Sequence, residues 1–257
     1  MKRQLISLTL LLSLALLSAC GRPTSPTAQG TPPSLPQGKV SMTCRVVAEE
    51  DGFLTLAKVD GSASDVYTLS LGTTPVGYED PTVTEIEEGA LIELHYNGNI
   101  QETFPAQLGD VASVLVRAEG FDDLCDLYLD VLEDLWEKDE GLNTKVIQLG
   151  LDLSQTSLSP AEKGAVAVVI GSQMGLPVHT GTWEELVEQG YIDREELIWK
   201  DGLFLEIKES EAKDGMVTFT AQKWRSGLGA YFFCDCVSTR DQSGHWKDYT
   251  IGEEAIS

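Results

Sequence analysis

The chain predicts an α+β fold in which a small β-barrel region is followed by helices packed on an antiparallel sheet. Three observations lead there. Short runs of alternating apolar and polar residues, separated by glycine turns, fill residues 39–118. Stretches of helical periodicity with clear start signals come next, beginning at Phe121. A meander of strand-like segments closes the chain, and helices followed by strands indicate helices layered on one sheet face.

The β region opens with Val40-Ser41-Met42-Thr43-Cys44-Arg45-Val46, which has the period of a half-buried strand. Asp51-Gly52 turns into Phe53 to Val59, and Asp60-Gly61 turns again toward Val66 to Leu71. After a looser acidic stretch, Ala90 to Tyr96 reads as a strand. Asn97-Gly98 carries the strongest hairpin signal in the chain, with Ile100 to Phe104 returning from it. Val111 to Val116 supplies a last strand, and together these segments predict a small closed barrel.

From Phe121, the residues Leu124, Cys125, Tyr128, Val131, Leu132, Leu135 and Trp136 recur at three- and four-residue steps, forming one apolar stripe with acids on the remaining surface. Val146 to Leu153 reads as a strand. Ser159-Pro160-Ala161-Glu162 is a capping box with proline at the first helical position, and it opens a small-residue apolar helix through Met174. Thr182-Trp183-Glu184-Glu185 repeats the logic for a short helix ending at Gly190. Strands are then expected at Ile198 to Lys200, Leu203 to Lys208, Met216 to Trp224, Gly229 to Thr239 and His245 to Ile251, with turns at Asp201-Gly202, Asp214-Gly215 and Ser243-Gly244. Element order alone points to a curved sheet of the NTF2-like kind for residues 119–257.

Ahead of the folded regions, Lys2 and Arg3 precede a leucine-rich run from Leu5 to Leu17, too short to span a bilayer comfortably. Leu17-Ser18-Ala19-Cys20 closes it. This segment resembles the lipobox of bacterial lipoproteins. The resemblance implies a signal peptide over residues 1–19, transfer of diacylglycerol to the Cys20 thiol, cleavage after Ala19, and a mature protein held on the outer face of the cell membrane. Two acyl chains suffice for stable anchoring. Gly21 carries no acidic sorting signal. Residues 20–38 follow as the lipidated cysteine and a spacer holding Pro23, Pro26, Pro32, Pro33 and Pro36, extended by composition.

The β region in turn resembles compact OB-type domains of Gram-positive lipoproteins. The matching features are its opening strand, Glu88 to Leu94, the Tyr96-Asn97-Gly98 turn and Glu102-Thr103-Phe104-Pro105-Ala106. The resemblance adds an expected OB-like fold and compartment, and no activity.

Charge narrows the partners. The net charge is −23, and Lys2 and Arg3 are the only charged residues in 1–19, so the mature chain carries −25. Such a charge opposes nucleic acid and anionic lipid surfaces. Beyond Cys20 the cysteines are Cys44, Cys125, Cys234 and Cys236, candidates for disulfides in an oxidising compartment. Four thiols allow three complete pairings, and a Cys234–Cys236 bridge requires a distorted strand. Cys-Asp-Cys with His245 nearby is a weak metal pattern against buried structural cysteines. The sequence therefore calls for no metal and no cofactor.

Lys223 to Phe233 concentrates cations, glycines and aromatics in an acidic protein, and resembles a segment in C-terminal domains of clostridial-type lipoproteins. From it come the candidate binding residues Trp224, Arg225 and Tyr231, with Trp246 added from the last strand. The bland alternative is a bulged sheet interior. His179, Asp152 with Ser154, and Glu184 with Glu185 are the other groups with catalytic chemistry. No nucleophile elbow, zinc-binding histidine pair, phosphate loop or calcium loop pattern accompanies them. The reading is a non-enzymatic envelope module that binds a protein, peptide or envelope polymer. A small-solute-binding lipoprotein associated with a transporter and an envelope hydrolase are the alternatives.

Overall fold

A computed structural model describes residues 35–257 apart from Asp214, Lys247 and the side chain of Ala212. The signal segment, Cys20 and the spacer as far as Ser34 lie outside the described residues, as does Asp214 of the expected Asp214-Gly215 turn. The fold is mostly β, with two mixed sheets and three helices among the described residues.

The first sheet comprises β1 (Val40–Glu50), β2 (Phe53–Lys58), β3 (Val66–Ser70), β4 (Val76–Tyr78), β5 (Leu91–Tyr96), β6 (Ile100–Gln101), β7 (Ala106–Leu108) and β8 (Val111–Val116). Asp51 and Gly52 both adopt positive φ, which makes the tight turn that pairs Glu50 with Phe53. Strand order is β4-β8-β5-β1-β2-β3-β7-β6, and the two ends do not meet. The expected closed barrel is therefore corrected to an open sheet.

The reason lies at Asn97-Gly98, which makes no hairpin. Both edges of β5 are taken, by β1 and β8, so the returning chain has nothing to pair with there. Asn97 Oδ1 instead accepts the Asn99 amide at 2.8 Å, and Gly98 takes a φ of 93°. The turn sends the chain away to pair Ile100 with Leu108. Residues 35–38, counted with the spacer, lie against this sheet. The buried Ser113 hydroxyl donates to the Pro36 carbonyl at 2.6 Å, and the Lys39 amide donates to the Tyr96 carbonyl at 2.9 Å.

The second sheet holds β9 (Gln148–Asp152), β10 (Val178–Thr180), β11 (Gly202–Lys213), β12 (Met216–Ser226), β13 (Gly229–Thr239) and β14 (Glu253–Ile256), in the order β10-β9-β11-β12-β13-β14. It is mixed, where an antiparallel sheet was expected. β9 pairs in parallel with both β10 and β11, because a helix crosses over between β9 and β10. Ile198 forms only isolated bridges, to Asp193 and Ser226, while Trp199 beside it is fully buried with Gly202 packed directly on the indole. His245 to Ile251 also yields isolated bridges in place of a strand, and β14 takes the edge of β13 instead.

The helices are α1 (Leu124–Glu137), α2 (Pro160–Met174) and α3 (Trp183–Glu188). Both predicted capping boxes form, Ser159 with Glu162 and Thr182 with Glu185. α1 and α2 lie between the two sheets. One apolar cluster joins Val47, Ala57 and Val66 of the first sheet to Tyr128, Leu132, Val166 and Ile170 of the helices, and to Leu149, Leu205 and Phe219 of the second sheet. A bulge at Val47 makes this possible. It breaks the alternation so that Val46 enters the first sheet's own core while Val47 turns to the helices. Leu35–Ser257 are accordingly one compact unit.

The end of α1 is closed from a distance. Its last turn contains no basic residue. Instead the ammonium of Lys223, fully buried on β12, donates to the carbonyls of Trp136 (2.9 Å) and Lys138 and to Asn143 Oδ1 at 3.2 Å. Burial lowers its pKa to about 8 despite Asp139 and Glu140 nearby.

Candidate functional site

α1 turns one side away from the shared core, and that side is acidic. Asp126, Asp130 and Asp134 follow at i, i+4 steps, with Glu133 beside them and no intervening cation. Like charges at this spacing repel, so the row costs stability. It is legible in the sequence, and the missing lysines are the signal that helical periodicity alone passes over.

The row separates two hollows. A cleft of about 800 Å³ opens between β1, β2 and the α1–α2 layer, with an apolar wall that includes Val47, Leu129, Val168 and Val169. Phe53 stands at its edge, 60% exposed. Glu49, Glu50 and Glu88 face Asp126, Asp130 and Glu133 across it. On the other side of the row is a hollow of about 530 Å³, where Asp123, Asp134 and Asp248 join the shared acids, with Trp246 and Tyr249. No lysine, arginine or histidine is among the described residues lining either hollow.

Electrostatics follow from that arrangement. Burial, then the charges of Asp130 and Glu88, push the Asp126 carboxyl up to about 6. Burial followed by Asp134 and Asp248 raises Asp130, and burial followed by Asp130 and Asp134 raises Glu133. The groove thus holds carboxylates whose charge lacks a neutralising partner, which favours any cation that enters.

The four candidate binding residues do not converge. Trp246 lines the smaller hollow. Its backbone amide donates to Asp123 Oδ1 and its indole to Asp122 Oδ1, each at 2.9 Å, with the Arg240 guanidinium 4.8 Å from its ring centre. Trp224 packs edge-on to Trp183 in a separate apolar cluster with Leu186, Trp199 and Phe204. Arg225 ties loops together, donating to the carbonyls of Leu142 and Thr144 at 2.6 Å and of Lys200 at 3.0 Å. Tyr231 donates to Glu254 across to β14 and meets the edge of Phe233. The Lys223 to Phe233 stretch therefore supplies packing and latches, while the groove lies elsewhere.

Cys44, Cys125, Cys234 and Cys236 carry free thiols. Asp235 between the last two has a φ of 50°, and Cys236 enters the shared core. Burial pushes the thiols of Cys44 and Cys236 up to about 12 and holds Cys125 well above its ordinary value, so these three are poor nucleophiles. The described residues contain no cluster of metal-ligating side chains. His179 stacks on Tyr191, its Nε2 3.1 Å from Gln148 Oε1, and burial lowers its pKa. His245 Nδ1 lies 3.0 Å from Asp123 Oδ2. Asp152 Oδ1 accepts the Ser154 amide at 2.8 Å, and Glu185 serves the α3 capping box while Glu184 is exposed. Cys20 lies outside the described residues. No described helix is long and apolar enough to cross a membrane.

Comparison with protein families, with characterised proteins and with solved structures found no match for this chain.

Proposed function

We propose that this protein is a lipid-anchored, extracytoplasmic binding module of the cell envelope, of the α+β class, and that its acidic groove receives a segment of a protein or peptide carrying both basic and apolar side chains. The carrying observation is the larger cleft. Its apolar wall of Val47, Leu129, Val168 and Val169 faces carboxylates that no lining cation neutralises. An apolar wall rewards buried side chains, and unneutralised acids reward cations, so a cationic amphipathic segment satisfies both. Anchoring rests on the lipobox resemblance at Leu17 to Cys20, and acyl chains on Cys20 are the link to the membrane. The same acidity argues against nucleic acid as a partner.

The test uses synthetic amphipathic peptides of matched length, one lysine-rich and one glutamate-rich, titrated against the full chain. The lysine-rich peptide is expected to bind and to weaken with salt. Asp126→Asn combined with Asp130→Asn should cost about tenfold in affinity, a change of about 1.4 kcal/mol. Equal binding of the two peptides, or binding indifferent to the double substitution, would overturn the groove assignment.

A further inference from the structure

A third hollow lies away from the acidic row, and topology explains it. β9 and β10 are adjacent and parallel, and α2 joins them. From β10 the chain passes through α3 to β11, on the other side of β9. The two connections take opposite faces of the sheet. α2 packs with Leu149 and Leu151 in the shared core, whereas Leu186 of α3 packs with Trp199 and Phe204, against the face to which Gly150 turns. Where neighbouring parallel strands send their connections to opposite faces, a crevice opens at their carboxyl ends, and ligands of open sheets bind in such crevices.

Here the crevice is present. A hollow of about 210 Å³ lies there, lined by Asp152 and Ser154 after β9, Thr180 and Thr182 after β10, Lys163 from α2 and Glu185 from α3. It is smaller than the roughly 300–1,000 Å³ of sites for drug-sized ligands, which restricts it to a molecule of free amino-acid size. Its charges are of both signs. The Lys163 ammonium reaches only the Ser154 carbonyl, at 3.3 Å, and forms no ion pair among the described residues. Glu185 Oε2 accepts the Thr182 amide at 2.7 Å and its hydroxyl at 3.1 Å, while Oε1 has no partner among the described residues. Asp152, 4% exposed, also lines it, with the buried Glu206 carboxyl as a second acid beside it. Gly181 keeps the wall close, since a Cβ there would stand 3.1 Å from Glu185 Oε2.

We propose that this crevice binds a small zwitterion of the free amino-acid class, its carboxylate toward Lys163 and its ammonium toward Glu185 and Asp152. The site is independent of the groove and stands or falls separately from it.

Calorimetric titration of the full chain with glycine, alanine and glutamate is the experiment, with ethylamine and propionate as ligands lacking one charge. A saturable heat is expected for at least one amino acid, with each single-charge ligand at least about tenfold weaker. Lys163→Met should weaken the amino acid by about tenfold, and Thr180→Trp, which fills the hollow, should abolish binding. Both should leave the melting temperature in place, and Asp126→Asn should leave the heat unchanged. No saturable heat with any amino acid, or an amine binding as tightly as the zwitterion, would overturn the proposal. The amine comparison uses unsubstituted protein, so it decides the matter even if a variant misfolds.

Discussion

Helices α1 and α2 share one layer, yet α1 leaves Asp130, Glu133, Asp134 and Glu137 in solvent while α2 buries Gly164, Ala165, Val166 and Ala167 in succession. The difference is where each sits. α2 is clamped, with β1, β2 and β3 on one side and the second sheet on the other, so small apolar residues occupy both of its packed faces. α1 is covered over only part of its surface, and its free side forms the groove. Stability is therefore concentrated in α2 and binding chemistry in α1, within one layer of the molecule.

The largest expected effect tests the clamp. A Cβ at Gly164 would stand 2.2 Å from the Ala63 backbone oxygen. Gly164→Val should therefore destabilise by about 3 kcal/mol, read by denaturant unfolding. A loss below about 1 kcal/mol would show that α2 moves freely between the sheets and would remove the contrast.

The next effect is smaller and opposite in sign. Asp126 is raised to about 6 in the folded protein, so the fold binds its proton more tightly than the unfolded chain does. Stability from this group is greatest below the unfolded carboxylate value near pH 4 and is lost as pH rises through 6. Asp126→Asn should stabilise by about 1 kcal/mol at pH 7, after allowance for solvent screening, and the gain should vanish near pH 4. A pH-independent gain would place the cause outside titration.

The smallest effect sharpens the division of labour. Gln173, on the exposed last turn of α2, lines the large cleft together with Glu133. Gln173→Lys should leave stability within about 0.5 kcal/mol. It puts a cation into the groove, so it should weaken the lysine-rich peptide while sparing amino-acid binding at the crevice.

Much of the local architecture was legible in the residues. Alternation in Val40 to Val46, the turn at Asp51-Gly52 and the capping boxes at Ser159 and Thr182 are decided within a few residues, and each forms as read. Pairing partners were not legible. Asn97-Gly98 carries a hairpin signal, but β5 was already paired on both edges, a fact held in residues far along the chain. The three-residue β10 is too short to show a period, so neither the parallel pairing nor the crevice is legible in the residues. The groove was half visible. The acids of α1 stood out, while their facing wall on β1 and β2 depended on the bulge at Val47.

Lys223 carries a consequence for the order in which the chain assembles. The carbonyls ending α1 accept hydrogen bonds from an ammonium 80 or more residues later, on a strand completed only when β12 joins its neighbours. On a growing chain α1 emerges well before that strand, with acids in its last turns and, at its carboxyl end, only the capping Lys138 to offset the helix dipole. The hydrogen bonds from Lys223 reach its final turn only when β12 is in place. The finished end of α1, and the acids of the groove beside it, are in this way tied to the completion of the second sheet, a long-range closure that local helix signals do not supply.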